Sequence, residues 1–308
     1  MKSLIKLGLS LAILGLAFRH VDFSAVTGQF HRLDLLSLAT SLFFLTLSSL
    51  LVAIRWRAVT MAVASNTPAL PLFLRSFYRG AFLNQGLPTT FGGDALRIID
   101  LSRAIGSKRE AAGTVLLDRV IGLCGLLVIN LLMLPLSLRL FPTSLALTVA
   151  AVSAGGLLTI AILLALPWQR VAHHHPGLAL IAEFNTFGRR VLAHPRRLLV
   201  QCVLSIAVHA CAILSLFVLA RQFGVEADFA THLVIQPSVF IVTLLPISLA
   251  GWGVREGTMA ALFATIGIAA PAVMATSLTF GAVALVATLP GLYFVIRSSR
   301  LAGQTIEQ

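Results

Sequence analysis

Two short segments of the chain place arginines beside carboxylates at points where a helix must break. The first spans residues 87–97 (LPTTFGGDALR) and the second spans residues 245–256 (LPISLAGWGVRE). Each begins with Leu-Pro, passes through glycines and then presents an arginine close to an acidic residue. A free helix N-terminus next to a guanidinium is suited to binding an anion such as a phosphate. The two segments are therefore the first candidates for a binding site.

In the first segment, Pro88 ends one helix and the glycines after it allow a tight turn. We predict that Asp94 is the N-cap of a helix that starts at Ala95. Arg97 lies three residues further on, so it shares a face with Asp94 and can pair with it. Arg97 would hold the phosphate, and Asn84 would add hydrogen bonds just before the break. The simpler interpretation is a capped helix with a local ion pair.

In the second segment we predict a helix that starts near Val254. Arg255 and Glu256 are adjacent, so we expect them to point in different directions and to need partners elsewhere. Asp118 and Arg119 pose the same problem inside an apolar stretch. Ionisable groups in a membrane usually face a polar cavity. Alternatively, Asp118 and Arg119 could lie at the cytoplasmic interface and only stabilise the protein. The predicted substrate-binding set, a charge-balanced cluster with one amide, is Arg97, Arg255, Asp94, Glu256, Asp118, Arg119 and Asn84.

Other chemistry finds little support in the sequence. The run 173–175 (His-His-His) has no flanking Cys, Asp or Glu, and three consecutive residues seldom converge on one metal ion. The three cysteines all lie in apolar stretches and suggest neither a disulfide nor a metal framework. His209 lies within a predicted span, where a hydrogen-bonded core histidine is expected. We predict no catalytic residue, no metal site and no cofactor.

The composition predicts a polytopic, all-α membrane protein. Apolar residues make up 58% of the 308 residues and charged residues only 11%, whereas soluble domains are about a quarter charged. The net charge of +12 is attributed to cytoplasmic loops that face anionic lipid rather than to nucleic-acid binding. The first apolar run could be a signal peptide, but a retained span is the better interpretation. Full spans are predicted at 4–18, 35–54, 114–138, 144–166, 199–220 and 271–296.

The distribution of Lys and Arg sets the expected orientation. With the N-terminus inside, Arg55 and Arg57 fall in a cytoplasmic loop, as do the arginines of the loop 167–198. Arg297 and Arg300 then place the C-terminus inside as well. This solution holds only if the two stretches that lead into the motifs do not cross the membrane completely.

The stretches 72–87 and 231–245 are therefore expected to form two re-entrant or broken-helix hairpins, one entering from each face. Interrupted helices that meet near the midplane from opposite sides are typical of inverted-topology repeats. We expect a single integral membrane domain over 1–308, without a soluble catalytic domain.

At these motifs the sequence resembles the flippase-like transmembrane family related to the membrane region of lysylphosphatidylglycerol synthase. The matching pieces are Leu83-Asn84, Leu87-Pro88, Gly92-Gly93-Asp94 with Arg97, Leu117-Asp118-Arg119 with Gly122, Pro246-Ile247-Ser248, Gly251, Gly253 and Val254-Arg255-Glu256-Gly257. Arg55-Trp56-Arg57 also fits. The resemblance implies an inner-membrane protein that moves or handles lipids. It does not carry over the aminoacyl transfer of the full-length synthases, whose soluble domain has no counterpart here, and stand-alone members are associated with other lipids, including hopanoids.

The leading hypothesis is thus a bacterial inner-membrane lipid flippase or transporter that is not an enzyme. Arg97 and Arg255 would contact phosphate, while Asp94, Asp118 and Glu256 would balance charge or contact a cationic head group. A membrane-embedded lipid-modifying transferase with Asp94 or Glu256 as base is one alternative, and a non-transporting subunit of a lipid-synthesis enzyme is another. The expected partners are membrane lipids, together with a lipid-synthesis enzyme or a second copy of the chain.

Overall fold

The computed structural model describes residues 23–86, 91–172, 179–245 and 250–304, and this part of the chain is helical with no strand. In chain order the helices are α1 (Phe23–Thr27), α2 (Leu35–Val63), α3 (Leu70–Gly86), α4 (Phe91–Ile105), α5 (Lys108–Leu132), α6 (Leu134–Leu140), α7 (Thr143–Ala165), α8 (Trp168–Ala172), α9 (Ala179–Leu192), α10 (Pro195–Gln222), α11 (Phe229–Thr243), α12 (Val254–Ala264), α13 (Ala270–Thr288) and α14 (Pro290–Gln304). A 3₁₀ turn at Phe30–Arg32 joins α1 to α2. The predicted all-α class is confirmed.

Five helical segments in the described residues are long and apolar enough to cross a membrane. They are Leu35–Val63, Lys108–Leu132, Thr143–Ala165, Pro195–Gln222 and Ala270–Arg297. They coincide with five of the predicted spans, and the sixth, 4–18, lies outside the described residues.

Two of the predicted spans ended at the wrong residue. The helix predicted to end at residue 54 continues to Val63, so Arg55 and Arg57 lie within α2 rather than in a loop. The span predicted for 114–138 ends at Leu132, and a separate short helix follows it. Pro135 lies at the start of that helix, where its missing N–H removes no helical hydrogen bond.

The stretch before the first motif forms an antiparallel hairpin, α3–α4, as expected. Near its tip, the Gly93 N–H donates to Asn84 Oδ1 at 2.7 Å. Further from the tip, Arg79 Nη1 donates to both carboxylate oxygens of Asp100 at 2.9 and 2.8 Å. The two legs approach closely at Gly80, where a Cβ would lie 2.8 Å from the Gly93 carbonyl oxygen. Residues 87–90, which include Pro88, lie outside the described part.

The second motif follows the same plan in α11–α12. Near the tip, a Cβ on Gly251 would lie 3.5 Å from the Thr243 side chain. Away from the tip, the His232 and Phe263 rings lie 5.3 Å apart between centroids. The chain therefore doubles back on itself here too. Residues 246–249, which include Pro246, lie outside the described part.

The long helices that precede the two hairpins, α2 and α10, pack antiparallel along their length. The Ser41 and Ser215 hydroxyls lie 2.7 Å apart, and Ser48 Oγ donates to the Val208 carbonyl at 3.0 Å. If α2–α7 are taken as the first half and α10–α14 as the second, each hairpin also contacts helices of the other half. Helix α3 contacts α13 and α14, and α11 contacts α5 and α6. Helices α5 and α13 each contact both α2 and α10. The same contact pattern in two oppositely directed halves is the one expected of inverted repeats.

Arginines from the predicted basic loop cap the ends of two spans. Arg190 Nη1 donates to the Val63 carbonyl at the end of α2 at 2.8 Å. Arg189 donates to the carbonyls of Leu164 and Ala165 at the end of α7, at 3.1 and 2.5 Å. Cations stabilise the negative end of a helix dipole. Helix α9 is thereby held across the C-terminal ends of α2 and α7.

The close approach of α3 and α4 predicts that Gly80→Ala destabilises the protein. The added Cβ meets backbone at Gly93, which cannot rotate away, and overpacking of this kind costs about 1–3 kcal/mol. Gly155→Ala is the matched control, because nothing lies within 4 Å of a Cβ there. The thermal unfolding midpoint in detergent should fall for Gly80→Ala and not for Gly155→Ala. Equal midpoints for the two variants would contradict the described hairpin packing.

Candidate functional site

A chain of alternating arginines and aspartates links α2, α4 and α5. Arg55 Nε donates to Asp118 Oδ1 at 2.9 Å, and Arg97 Nη2 donates to Asp118 Oδ2 at 2.8 Å. Arg97 Nη1 also donates to Asp94 Oδ1 at 3.2 Å. Arg119 completes the chain by donating to both carboxylate oxygens of Asp94, at 2.9 and 3.0 Å. Three guanidiniums thus share two carboxylates, which leaves the cluster with one excess positive charge.

Most of this cluster is shielded from solvent. Asp118 is 1% exposed, Arg97 3% and Arg55 5%. The Arg119 side chain is the accessible member, at 40%. Buried charges are tolerated only when they are paired and hydrogen-bonded, so the inner groups hold the helices together. Arg119 is the group that a ligand could reach.

The structure confirms some of the local predictions and corrects one. Asp94 and Arg97 do pair across three residues of α4. Asp118 and Arg119 point to different partners from neighbouring positions on α5, as expected. Asp94 is not an N-cap, however, because α4 begins at Phe91 and Asp94 lies within its first turn. The helix starts earlier because the Asn84 side chain already accepts the Gly93 N–H, and a carboxylate in the first turn is still favoured by the helix dipole.

Arg55 is a site residue that the sequence interpretation missed, because it was assigned to a cytoplasmic loop. Its Nη1 donates to Ser205 Oγ at 3.1 Å, which ties α10 to the cluster. Gly122 makes room for it, since a Cβ there would lie 3.1 Å from Arg55 Nη2. The sequence did contain a signal for this role, because the apolar stretch around Arg55 is long enough to continue as a helix beyond the predicted end of the span. The neighbouring Trp56 carries the Arg97 guanidinium 4.2 Å above its ring centroid, a cation–π contact.

A cavity of about 320 Å³ lies between the two hairpins, beside this cluster. From the predicted set, Asn84, Asp94, Arg97 and Arg119 line it, and Thr243, Leu244 and Ala250 line it from the second hairpin. A smaller cavity of about 200 Å³ lies next to it and is lined by Arg55, Asp118 and His209 among others. Arg97 and Arg119 border both cavities. Arg97 Nε is buried there without a hydrogen-bond partner among the described residues.

Arg255 and Glu256 form a separate buried pair, which corrects the expectation that they join Arg97 in one cluster. Arg255 Nη2 donates to Glu256 Oε1 at 2.8 Å, and Ser277 Oγ lies 2.8 Å from both Arg255 Nε and Glu256 Oε1. Glu256 Oε2 accepts the Gly253 N–H at 2.6 Å and so closes the start of α12. That helix begins at Val254, as predicted. Neither charged side chain lines the two cavities described above.

The expectation that adjacent Arg255 and Glu256 point in different directions was also wrong, because they pair with each other, although both do find a further partner on another helix. Both side chains are long, and both converge on the hydroxyl of Ser277 on α13. Helical projection fixes the direction of each Cβ but not the reach of three or four rotatable bonds beyond it.

In each half, a helical glycine makes room for a guanidinium and follows a polar residue by four positions. The polar residue is charged only in the first half. In α5 the polar Asp118 precedes Gly122 by four residues, and in α13 Ser277 precedes Gly281 by four. Residues four apart share a helix face, and in both helices the glycine leaves space for a guanidinium. A Cβ on Gly281 would lie 2.5 Å from Arg255 Nη2. The first half places a carboxylate at this position and borders the cavity, whereas the second half places a hydroxyl there and encloses its ion pair.

The remaining predictions concern histidines and metals. His209 Nε2 lies 2.8 Å from the Gly122 carbonyl oxygen, which confirms a hydrogen-bonded core histidine. The run 173–175 lies outside the described residues. Within the described residues, no group of His, Cys, Asp and Glu is arranged to hold a metal ion.

The cluster predicts a large stability difference between buried and exposed ion pairs. Asp118→Asn removes the charge shared by two buried guanidiniums, and losing one partner of a buried pair costs about 3–5 kcal/mol. Arg109→Gln breaks the exposed Arg109–Glu183 pair, in which Arg109 is 66% exposed, and should cost about 1 kcal/mol or less. Thermal unfolding in detergent measures both. A loss for Asp118→Asn no greater than that for Arg109→Gln would argue against the described cluster.

Comparisons with known proteins agree with this architecture. The family model for the lysylphosphatidylglycerol synthase TM region matches residues 3–291, which include both hairpins and every predicted site residue. A UPF0104 membrane protein from Methanothermobacter thermautotrophicus is 28% identical over 297 residues, covering 83% of this chain and 84% of that protein. The resemblance seen in the motifs is confirmed. The chain belongs to the lysylphosphatidylglycerol synthase transmembrane-region family of multi-pass membrane proteins.

Proposed function

We propose that the protein transports lipids by admitting a phosphate-bearing head group into the cavity between its two hairpins. The observation that carries this proposal is the excess positive charge of the five-residue cluster at the cavity wall. Arg119 carries this excess charge to the accessible side of the cluster, where its side chain is 40% exposed, and an anionic head group would neutralise it. Membership of a family named for lipid synthesis gives the same substrate class independent support.

The donors at the cavity suit a phosphate. Arg119 uses Nε and Nη2 for Asp94, which leaves Nη1 to donate to an anion. Asn84 accepts from Gly93 through its oxygen, and its NH₂ group makes no hydrogen bond to the described part of the chain. Guanidinium–phosphate hydrogen bonds are short and charge-assisted. A bound phosphate would therefore compete with Asp94 for Arg119.

The apolar part of the cavity lining and the repeat suit the rest of the lipid. Phe77, Ala81 and Leu244 line the cavity and offer apolar contacts to the glycerol and the first methylenes. The cavity is made by elements of both halves, which run in opposite directions. Rocking of one half against the other around a fixed site is the usual route to alternating access in inverted repeats.

The transferase alternative receives less support from the geometry. A general base must be within reach of its substrate and free to accept the substrate's proton, and both burial and ion pairing with arginine oppose this. Both oxygens of Asp94 accept from arginines, and Glu256 is 0% exposed, with its oxygens engaged by Arg255, Ser277 and Gly253. Transport needs no such base.

Reconstitution tests the proposal through Arg119. Liposomes containing the protein and fluorescent phosphatidylglycerol are quenched from outside, and the rate at which inner-leaflet lipid becomes accessible is followed. Arg119→Gln should lower this rate about tenfold or more, because a hydrogen bond to a charged group contributes about 1.5–3 kcal/mol. Arg103→Gln is the matched control, since Arg103 lies on the same helix as Arg97 but is exposed and does not line the cavity.

Two results would contradict this function. One is a wild-type rate equal to that of protein-free liposomes for phosphatidylglycerol, phosphatidylethanolamine and a glycolipid alike. The other is equal slowing by Arg119→Gln and Arg103→Gln, which would reflect net charge rather than the cavity.

We also propose that the protein lies in the inner membrane of a bacterium with both termini in the cytoplasm. Support comes from the arginines of α9 and the start of α10, which collect at one end of the helix bundle. In a cysteine-free background, Arg196→Cys should react with an impermeant thiol reagent only from the cytoplasmic side. Glu226→Cys, beyond the other end of α10, should react only from outside. The reverse pattern would overturn the orientation.

A further inference from the structure

A second, apolar cleft lies on the opposite side of α5 from the charged cluster. Its volume is about 160 Å³, and α5, α7, α9 and α10 form its walls. From α5 it is lined by Leu117, Ile121 and Cys124, whereas Asp118 and Arg119 face the other way. From α10 it is lined by Gln201 and Cys202 among others.

The cleft opens onto an exposed apolar surface of the helix bundle and is too narrow for a helix. Cys202 is exposed, and Leu192 and Ile206 at its edge are 43% and 42% exposed. A helix with its side chains is about 10–12 Å across, which a cleft of 160 Å³ cannot accept. In a membrane, the apolar chains available to fill it are those of lipids.

One end of the cleft is cationic. Leu164 and Gly188 line it, and Arg189 Nε donates to the Leu164 carbonyl at 3.1 Å, which holds the exposed guanidinium at the cleft end. Arg190 and Arg197 continue the charge along the same end of the bundle. The acidic residue nearest in sequence, Glu183, is paired with Arg109 at 2.9 Å.

A buried polar group inside the cleft also lacks a partner. Gln201 is 2% exposed, and its Oε1 has no hydrogen-bond partner in the described residues. Ser205, one turn further along the same face, is committed to Arg55 and to the Ile121 carbonyl. Buried polar atoms normally have a partner, so the Gln201 amide is the group left to bond a ligand.

We propose that this cleft binds one acyl chain of an anionic phospholipid. The methylenes lie along the α5, α7 and α10 walls, the ester region bonds the Gln201 amide, and the phosphate pairs with Arg189. An ester carbonyl only accepts hydrogen bonds, so the Gln201 amide flips and donates to it through its NH₂ group. This site goes beyond the proposed transport function and does not depend on it, because the two cavities lie on opposite sides of α5.

Photo-crosslinking tests the site in the full-length protein in nanodiscs. Phosphatidylglycerol and phosphatidylcholine, each with a diazirine in the acyl chain, are activated, and the labelled peptides are mapped. Cys202→Phe fills the cleft from its open side and should reduce labelling of the α5 and α10 peptides several-fold. Val203→Phe is the matched control, because Val203 is 56% exposed on the next position and does not line the cleft.

The head group is tested by charge variants in the same experiment. Arg189→Gln should remove the preference for phosphatidylglycerol over phosphatidylcholine. Arg196→Gln should keep it, because Arg196 precedes Leu198 by two residues and so lies away from the cleft face of α10.

Equal labelling in Cys202→Phe and Val203→Phe would overturn the site. Equal labelling of the wild type by phosphatidylglycerol and phosphatidylcholine would overturn the proposal that the ligand is anionic. Transport through the first cavity could fail while both cleft results hold, so the two proposals are separable.

Discussion

The structure depends on one buried carboxylate, that of Asp118. Its two oxygens accept from Arg55 on α2 and from Arg97 on α4, so a single side chain on α5 that is 1% exposed connects three helices. A buried charge is tolerated only when it is paired and its hydrogen bonds are satisfied. This requirement fixes the first hairpin against the long helix α2, and it leaves the fifth member of the cluster, Arg119, as the exposed end of an otherwise closed chain of charges.

The two halves of the protein show how one scaffold can hold two different sites. Both halves carry a long helix, a hairpin and an apolar helix with a polar residue four positions before a glycine. In the first half the polar residue is a carboxylate, and charge continues outward to a cavity. In the second half it is Ser277, and Arg255 and Glu256 neutralise each other in a closed pair that also starts α12. In the proposed function, this asymmetry would put the head-group site in the first half and leave the second half to supply the facing wall.

Helix α5 separates two environments that a lipid-handling protein would need. On one side lie the charged cluster and its cavities, and on the other lies the apolar cleft. The wall between them is thin: a Cβ on Gly125 would collide with Ser205, and Ser205 itself accepts from Arg55. A small residue at the helix crossing allows this close approach. The proposed head-group site and the proposed acyl-chain site are therefore neighbours, connected through the hydrogen bonds of one serine.

The sequence by itself determined the membrane class, five of the described spans, both hairpins, the Asp94–Arg97 pair and the start of α12 at Val254. These follow from local rules: apolar length, helix breakers, charge placement and the spacing of residues along a helix. Only the tertiary structure brought Arg55 to Asp118, paired Arg255 with its neighbour Glu256, and separated that pair from the cavity. These features depend on how far a flexible side chain reaches and on which helix offers a glycine at the contact. Such facts arise when helices distant in the chain pack together, and helical periodicity alone does not encode them.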